Sequence, residues 1–243
     1  MLHIRNSVEY TVITEYCRMH RIVGNLFVVC GIMILPWLVL GVYYAGSLTP
    51  GFDHVSQLMS ELGARGSSTE NLSPIINNYP LGVLFIGFGI GLYLISEGER
   101  YRALAPTLFI IHGLGSICAG AFSCDVGCPL VGGSFEQSIH TLSGLVMFSS
   151  LSLACLLWCI PNSNLAKSNA FGVFSIVCFV SATVFLLITT ATLFLGEYAG
   201  LFERLSYGIL CAWLLVLAIG IVIRRDVITR VLILIRRKKC LTN

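Results

Sequence analysis

Six uninterrupted apolar runs, each close to twenty residues long, constrain this sequence more than any other feature. A helix needs about 20 apolar residues to cross the hydrocarbon of a bilayer. Lipid offers no partners to an open backbone, so runs of this length are read as helices. They cover about residues 22–45, 75–96, 105–123, 139–160, 171–195 and 205–223. Transmembrane strands are shorter, about 10 residues, and alternate in polarity, which these runs do not. Pro36 lies inside the first run and predicts a kink, because its ring removes a hydrogen bond and crowds the preceding turn. Composition agrees with a membrane chain: 56% of residues are hydrophobic and 11% charged, against about 25% charged in a soluble domain. An apolar chain with a net charge of +3 is not disordered, and its basic residues are better explained by topology than by nucleic acid. The expectation is an all-α integral membrane bundle of six transmembrane helices, a single domain over 1–243, in contact with membrane lipids and with no nucleic acid. A cleaved signal peptide is the rival for the first run. That run is too long, and no A-x-A site follows it.

Six spans bring both termini to one side. Lys and Arg gather there: Arg5, Arg18 and Arg21, then Arg100 and Arg102, then Lys167, then Arg224, Arg225, Arg230, Arg236, Arg237, Lys238 and Lys239. Of the fifteen basic residues, only Arg65 and Arg204 fall on the other side. The positive-inside bias therefore predicts an inner (cytoplasmic) membrane protein with both termini cytoplasmic. Residues 224–243 form a basic cytoplasmic tail. Its stretch 226–239 would lie along the inner leaflet, where each Lys or Arg contributes about 1 kcal/mol with anionic lipid.

Polar residues collect on the outer side. The first outer connection, about 46–74, is longer than most connections in compact domains, and loops of that length are usually functional or disordered. Phe52, Val55, Met59 and Leu62 recur there at helical spacing, which predicts a short outer-surface interfacial helix over 52–62. His54, Gln57 and Glu61 fall on another face, with Asp53, Ser56 and Ser60 near it. Gly63, Gly66, Ser67 and Ser68 then end it. The second unusual connection is Ser123-Cys124-Asp125-Val126-Gly127-Cys128-Pro129, leading through Gly132, Gly133 and Ser134 to Ser138 and His140. His112 sits within the third span, one turn before Ser116.

These two connections carry a resemblance. Phe52-Asp53-His54-Val55-Ser56-Gln57 with Ser60-Glu61-Leu62-Gly63-Ala64 resembles the first motif of a prokaryotic membrane family known as domain of unknown function 998. Phe122-Ser123-Cys124-Asp125-Val126-Gly127-Cys128-Pro129, followed by His140, resembles its second motif, and His112-Gly113 fits the pattern. Ser123 stands where the family would be expected to carry proline. The resemblance covers about 22–223. It implies a six-helix integral membrane protein whose outer motifs matter, and it implies no activity.

Several chemistries suit these residues. His54, Ser60, His112, Asp125 and His140 could converge at the outer mouth, and ionisable groups at membrane depth are functional candidates by default. His54, His112 and His140 with a carboxylate suffice to ligate zinc with one position left for water, which zinc would turn into a nucleophile at neutral pH. Without metal, Ser60 activated by a histidine that an aspartate orients is the alternative. In the sharpest form, His54, Glu61, Asp125 and His140 surround one cavity, and Asp125 orients His140. No H-E-x-x-H motif supports the zinc reading. His112 also lies twelve residues before Cys124, about 18 Å along a helix. The bland alternative has His112 bonded to a neighbouring helix and His54 and His140 at helix ends. Cys124 and Cys128 are read as a disulfide clip, since disulfides persist outside the cytoplasm. A free or metal-bound pair remains open, and the C-x-x-x-C spacing argues against redox catalysis. Transport is disfavoured by the lack of inverted repeats. Gly87 and Gly91 form a G-x-x-x-G that packs helices closely. Function stays between a lipid-facing hydrolase or transferase and a non-catalytic membrane scaffold or sensor held by the same motifs.

Overall fold

In the computed structural model the described residues are 2–95, 100–159, 169–195 and 197–241, with side chains described within 22–95, 104–159, 170–193 and 197–224. All six long elements are helices: α1 (Leu2–Leu48), α2 (Tyr79–Ile95), α3 (Arg100–Ala121), α4 (Phe135–Leu157), α5 (Asn169–Leu195) and α6 (Ala199–Leu241). Among the described residues six stretches are long and apolar enough to cross a membrane: Ile22–Leu48, Pro74–Ile95, Leu104–Ala121, Phe135–Leu157, Ala170–Leu193 and Ala199–Arg224. Among the described residues there is no strand. The basic residues expected on the terminal side, apart from Arg224, have side chains outside the described residues, as does the tail from 225 onward.

Consecutive helices α1 to α4 pack side by side, α5 lies against α6, and α6 returns to α1. Small residues permit the close approaches. A Cβ on Gly113 would stand 2.5 Å from the Gly82 carbonyl oxygen, so the backbones of α2 and α3 touch there. A Cβ on Gly91 would lie 2.8 Å from the Val28 nitrogen, so the G-x-x-x-G of α2 packs against α1 inside the bundle. The centre is aromatic: Phe85, Phe88, Phe109 and Trp213 are fully buried. Trp213 Nε1 donates to Ser175 Oγ at 2.9 Å, which satisfies its one polar atom and joins α6 to α5.

Two starts differ from the hydropathy reading. α4 begins at Phe135 because Ser134 caps it, accepting from Gln137 N at 3.1 Å, with Glu136 in the favourable first turn. α6 begins at Ala199 rather than near 205, which draws Glu203 and Arg204 into its opening turns. A π-helical turn, Pro74–Asn78, precedes α2. Its wide winding frees carbonyls that side chains then take up: Trp37 Nε1 donates to Ile76 O and Ser116 Oγ to Asn78 O, both at 2.8 Å.

The connections at one end of the bundle fold into a cap. Leu58 and Ala64 from the first, Cys124 and Cys128 from the second, and Ala199 at the start of α6 share a small apolar cluster with Leu193. Arg65 N donates to Cys124 O at 2.9 Å across it.

The helix expected over 52–62 is not formed. A turn at 53–57 and a five-residue 3-10 helix, Met59–Gly63, replace it, and Val55 of the expected stripe is exposed. The reason is competition for backbone groups. Val55 O and Ser56 O accept from Leu201 N and Gly200 N at 2.8 and 3.2 Å, and Gln57 O accepts from Arg204. These oxygens satisfy the unpaired amides and the guanidinium at the start of α6, and the Leu58 and Met59 amides that would close an α-helix on His54 O and Val55 O donate to Glu61 and Glu203 instead.

Candidate functional site

The polar residues of the first connection meet the start of α6. Arg204 Nη1 donates to Gln57 O and to Gly200 O, both at 2.8 Å, and its guanidinium lies 5.7 Å from the centre of the Phe52 ring. Arg204 Nη2 donates to His54 Nδ1 at 3.3 Å. His54 stacks on Tyr43 and meets Phe52 edge-on, above Gly46, where a Cβ would come within 2.7 Å of the imidazole. An imidazole nitrogen that accepts from a guanidinium is unprotonated. Partial burial, then the Arg204 charge, pushes the His54 pKa below its usual value, against the opposing pull of Asp53.

Two carboxylates bind consecutive amides beside this pair. Glu61 Oε1 accepts from Leu58 N at 2.8 Å, and Glu203 Oε2 accepts from Met59 N at 2.6 Å. Gln57 Nε2 donates to Glu61 Oε2 at 3.0 Å. Asp53 makes an Asx turn: Val55 N, Ser56 N and Ser56 Oγ all donate to its carboxylate. The Ser56 hydroxyl, 2.6 Å away, is the first cause holding the Asp53 carboxyl below the usual range. Ser60 sits in the 3-10 turn, its carbonyl oxygen 3.6 Å from the Cys124 sulfur.

The second connection is braced separately. Asp125 accepts from Ser134 N at 2.7 Å and Ser134 Oγ at 2.9 Å, and Arg65 Nη1 lies 3.4 Å away. The Ser134 amide is the main cause that lowers the Asp125 pKa, followed by the Ser134 hydroxyl. Arg65 Nη2 also reaches Glu136, at 3.1 Å. Buried Gln137 accepts from Asp125 N and donates to Pro129 O, both at 2.8 Å. Cys124 and Cys128 are joined as a disulfide, with Cα atoms 5.1 Å apart. Cys128 adopts φ 43 and Gly127 φ 74, a left-handed pair that turns the chain back within the loop.

The three expected histidines occupy three different environments. His140 Nδ1 donates towards Phe122 O at 2.8 Å and Ala119 O at 3.0 Å, and so closes the last turn of α3. His112 is fully buried against Phe85. Its Nδ1 donates to Met147 O at 2.7 Å, so its Nε2 accepts from the Tyr207 hydroxyl at 2.8 Å, linking α3, α4 and α6. Among the described residues no three His, Cys, Asp or Glu side chains form a group able to hold a metal. The expected set is not brought together as one metal group among the described residues: Asp125 is paired with Ser134 and Arg65 instead of orienting His140, and His54, His112 and His140 each bind different partners through Nδ1.

Sequence reasoning missed Arg65, Gln137, Glu203, Arg204 and Tyr207. One signal pointed to two of them. Arg65 and Arg204 are the two basic residues on the side where the others are absent, and each braces a different connection of the cap.

A family model described as a protein of unknown function, DUF998, matches residues 29–220. No curated protein and no solved structure matches the chain. The matched region holds all the bracing residues above and most of the chain, and the protein belongs to the DUF998 family.

Proposed function

We propose that this protein is a non-catalytic membrane scaffold or sensor in which the motif residues brace a rigid cap. We place it in the cytoplasmic membrane with both termini in the cytoplasm, because the basic residues gather on that side. One observation carries the functional reading: carboxylates and a histidine of the two motifs, with Glu203 and Arg204 of α6, are engaged by the chain's own backbone. Glu61 and Glu203 hold two amides, Arg204 and His140 hold carbonyls, and Asp125 holds the amide at the start of α4. A general acid or base must stand within hydrogen-bond reach of its substrate. Groups occupied in this way stabilise architecture first.

A lipid-facing hydrolase or transferase is the second reading. The meeting of His54, Glu61, Glu203 and Arg204 at one edge of the cap favours it.

Two substitutions at one position separate the readings. Glu203→Gln keeps an acceptor for Met59 N, whereas Glu203→Ala leaves that amide unpaired, which costs about 1–3 kcal/mol. A brace predicts that the Ala variant melts lower and accumulates less, while the Gln variant stays near wild type. If both variants keep wild-type melting and abundance, Glu203 is not a brace and the catalytic reading gains.

A further inference from the structure

We propose that residues 126–135 form an apolar wedge seated in the bilayer leaflet at the capped end, covered by phospholipid. Val126 and Val131 are each 82% exposed, and Phe135 is 74% exposed, the three most exposed large apolar side chains among the described residues. Leu130 beside them is 44% exposed. No charged residue lies between Asp125 and Glu136. Both of those acids bind Arg65, so the charge at the base of the loop is matched.

The loop is tied shut below its apolar tip. Ser134 N and Oγ reach Asp125, Gln137 Nε2 reaches Pro129 O, and a disulfide joins Cys124 to Cys128. These ties leave Val126, Leu130 and Val131 outside the tied base, in a fixed presentation that needs little ordering on contact.

Continuity with the lipid-facing surface identifies what covers the tip. The exposed face of α4 runs through Phe135, Leu142, Leu145, Val146, Leu153 and Leu156, at spacings of three, four and seven that mark one helical face. α4 is one of the spans, so that face meets hydrocarbon. Phe135 heads the strip and hands it directly to the loop. Apolar side chains at this level insert about 5–10 Å into the headgroup boundary. This contact would exist around an enzyme as well as around a scaffold.

Photo-crosslinking tests it. The full chain is prepared with p-benzoylphenylalanine at position 131, at 145 on the α4 face, or at 68 in the first connection. Each variant is placed in vesicles of phosphatidylethanolamine and phosphatidylglycerol and irradiated, and the intact mass is read. The wedge predicts phospholipid adducts at 131 within about twofold of those at 145 and few at 68. The proposal is overturned if 131 gives no lipid adduct while 145 does. It is also overturned if 131 crosslinks in native membranes to a second copy or another protein in place of lipid.

Discussion

Arg204 donates to the Gln57 carbonyl oxygen at 2.8 Å across 147 positions of sequence, and so fastens the start of α6 to the first connection. The same guanidinium reaches Gly200 O and His54 and faces the Phe52 ring. A planar fork can make these contacts at once, whereas an ammonium cannot. Arg204→Lys should therefore lower the melting midpoint in detergent, by the equivalent of about 1–3 kcal/mol. A Lys variant as stable as wild type would show that the fork is dispensable.

His54 gives the cap a defined response to pH. Its pKa is lower in the folded protein than in the unfolded chain, so the unfolded chain takes up the proton first. Stability is therefore complete above the unfolded value, about 6.5, and falls as the pH drops below it towards the folded value. Asp53 and Asp125 are also depressed, and their contribution is lost only at lower pH, below about 3.9. Melting midpoints should decline between pH 6.5 and 5, and His54→Gln should flatten that part of the curve alone. An unchanged slope in His54→Gln would remove His54 as its source.

The disulfide should make the clip chemically silent. Cys124 and Cys128 should resist maleimide in unreduced membranes and gain two labels after reduction. Labelling of both before reduction would contradict the clip.

Orientation is open to a direct assay. Alkaline phosphatase fused after Glu70 or Gly132 should be active, and fused after Arg102 or Lys167 inactive. The reverse pattern would place the cap in the cytoplasm.

The bundle was legible because lipid leaves a continuous apolar run few ways to satisfy its backbone. The start of α6 was less so: Glu203 and Arg204 ended the apolar run early, although both lie inside the helix and bind the cap. The spacing of Phe52, Val55, Met59 and Leu62 was helical, yet the backbone groups there bind Glu61, Glu203 and the start of α6 instead. That competition is tertiary, and periodicity does not record it. Bonds of His112 to a neighbouring helix and of His54 and His140 at helix ends were one of two sequence readings, but their particular partners were hidden for a related reason. His112 and His140 bind backbone carbonyls, which every residue possesses, so no local pattern announces them. The long first connection, the two motifs and the misplaced charges of Arg65 and Arg204 marked the cap in advance.

Hydrogen exchange across residues 55–65 tests the bracing account most directly. Glu61 and Glu203 hold the amides of Leu58 and Met59, so that segment should exchange slowly in the wild-type protein in nanodiscs. In the Glu61→Ala, Glu203→Ala double variant it should exchange about tenfold faster or more, the effect of about 1.4 kcal/mol on opening, while the centre of α3 stays protected. Equal exchange in both proteins, or rapid exchange in the wild type, would contradict the claim that these carboxylates hold the cap.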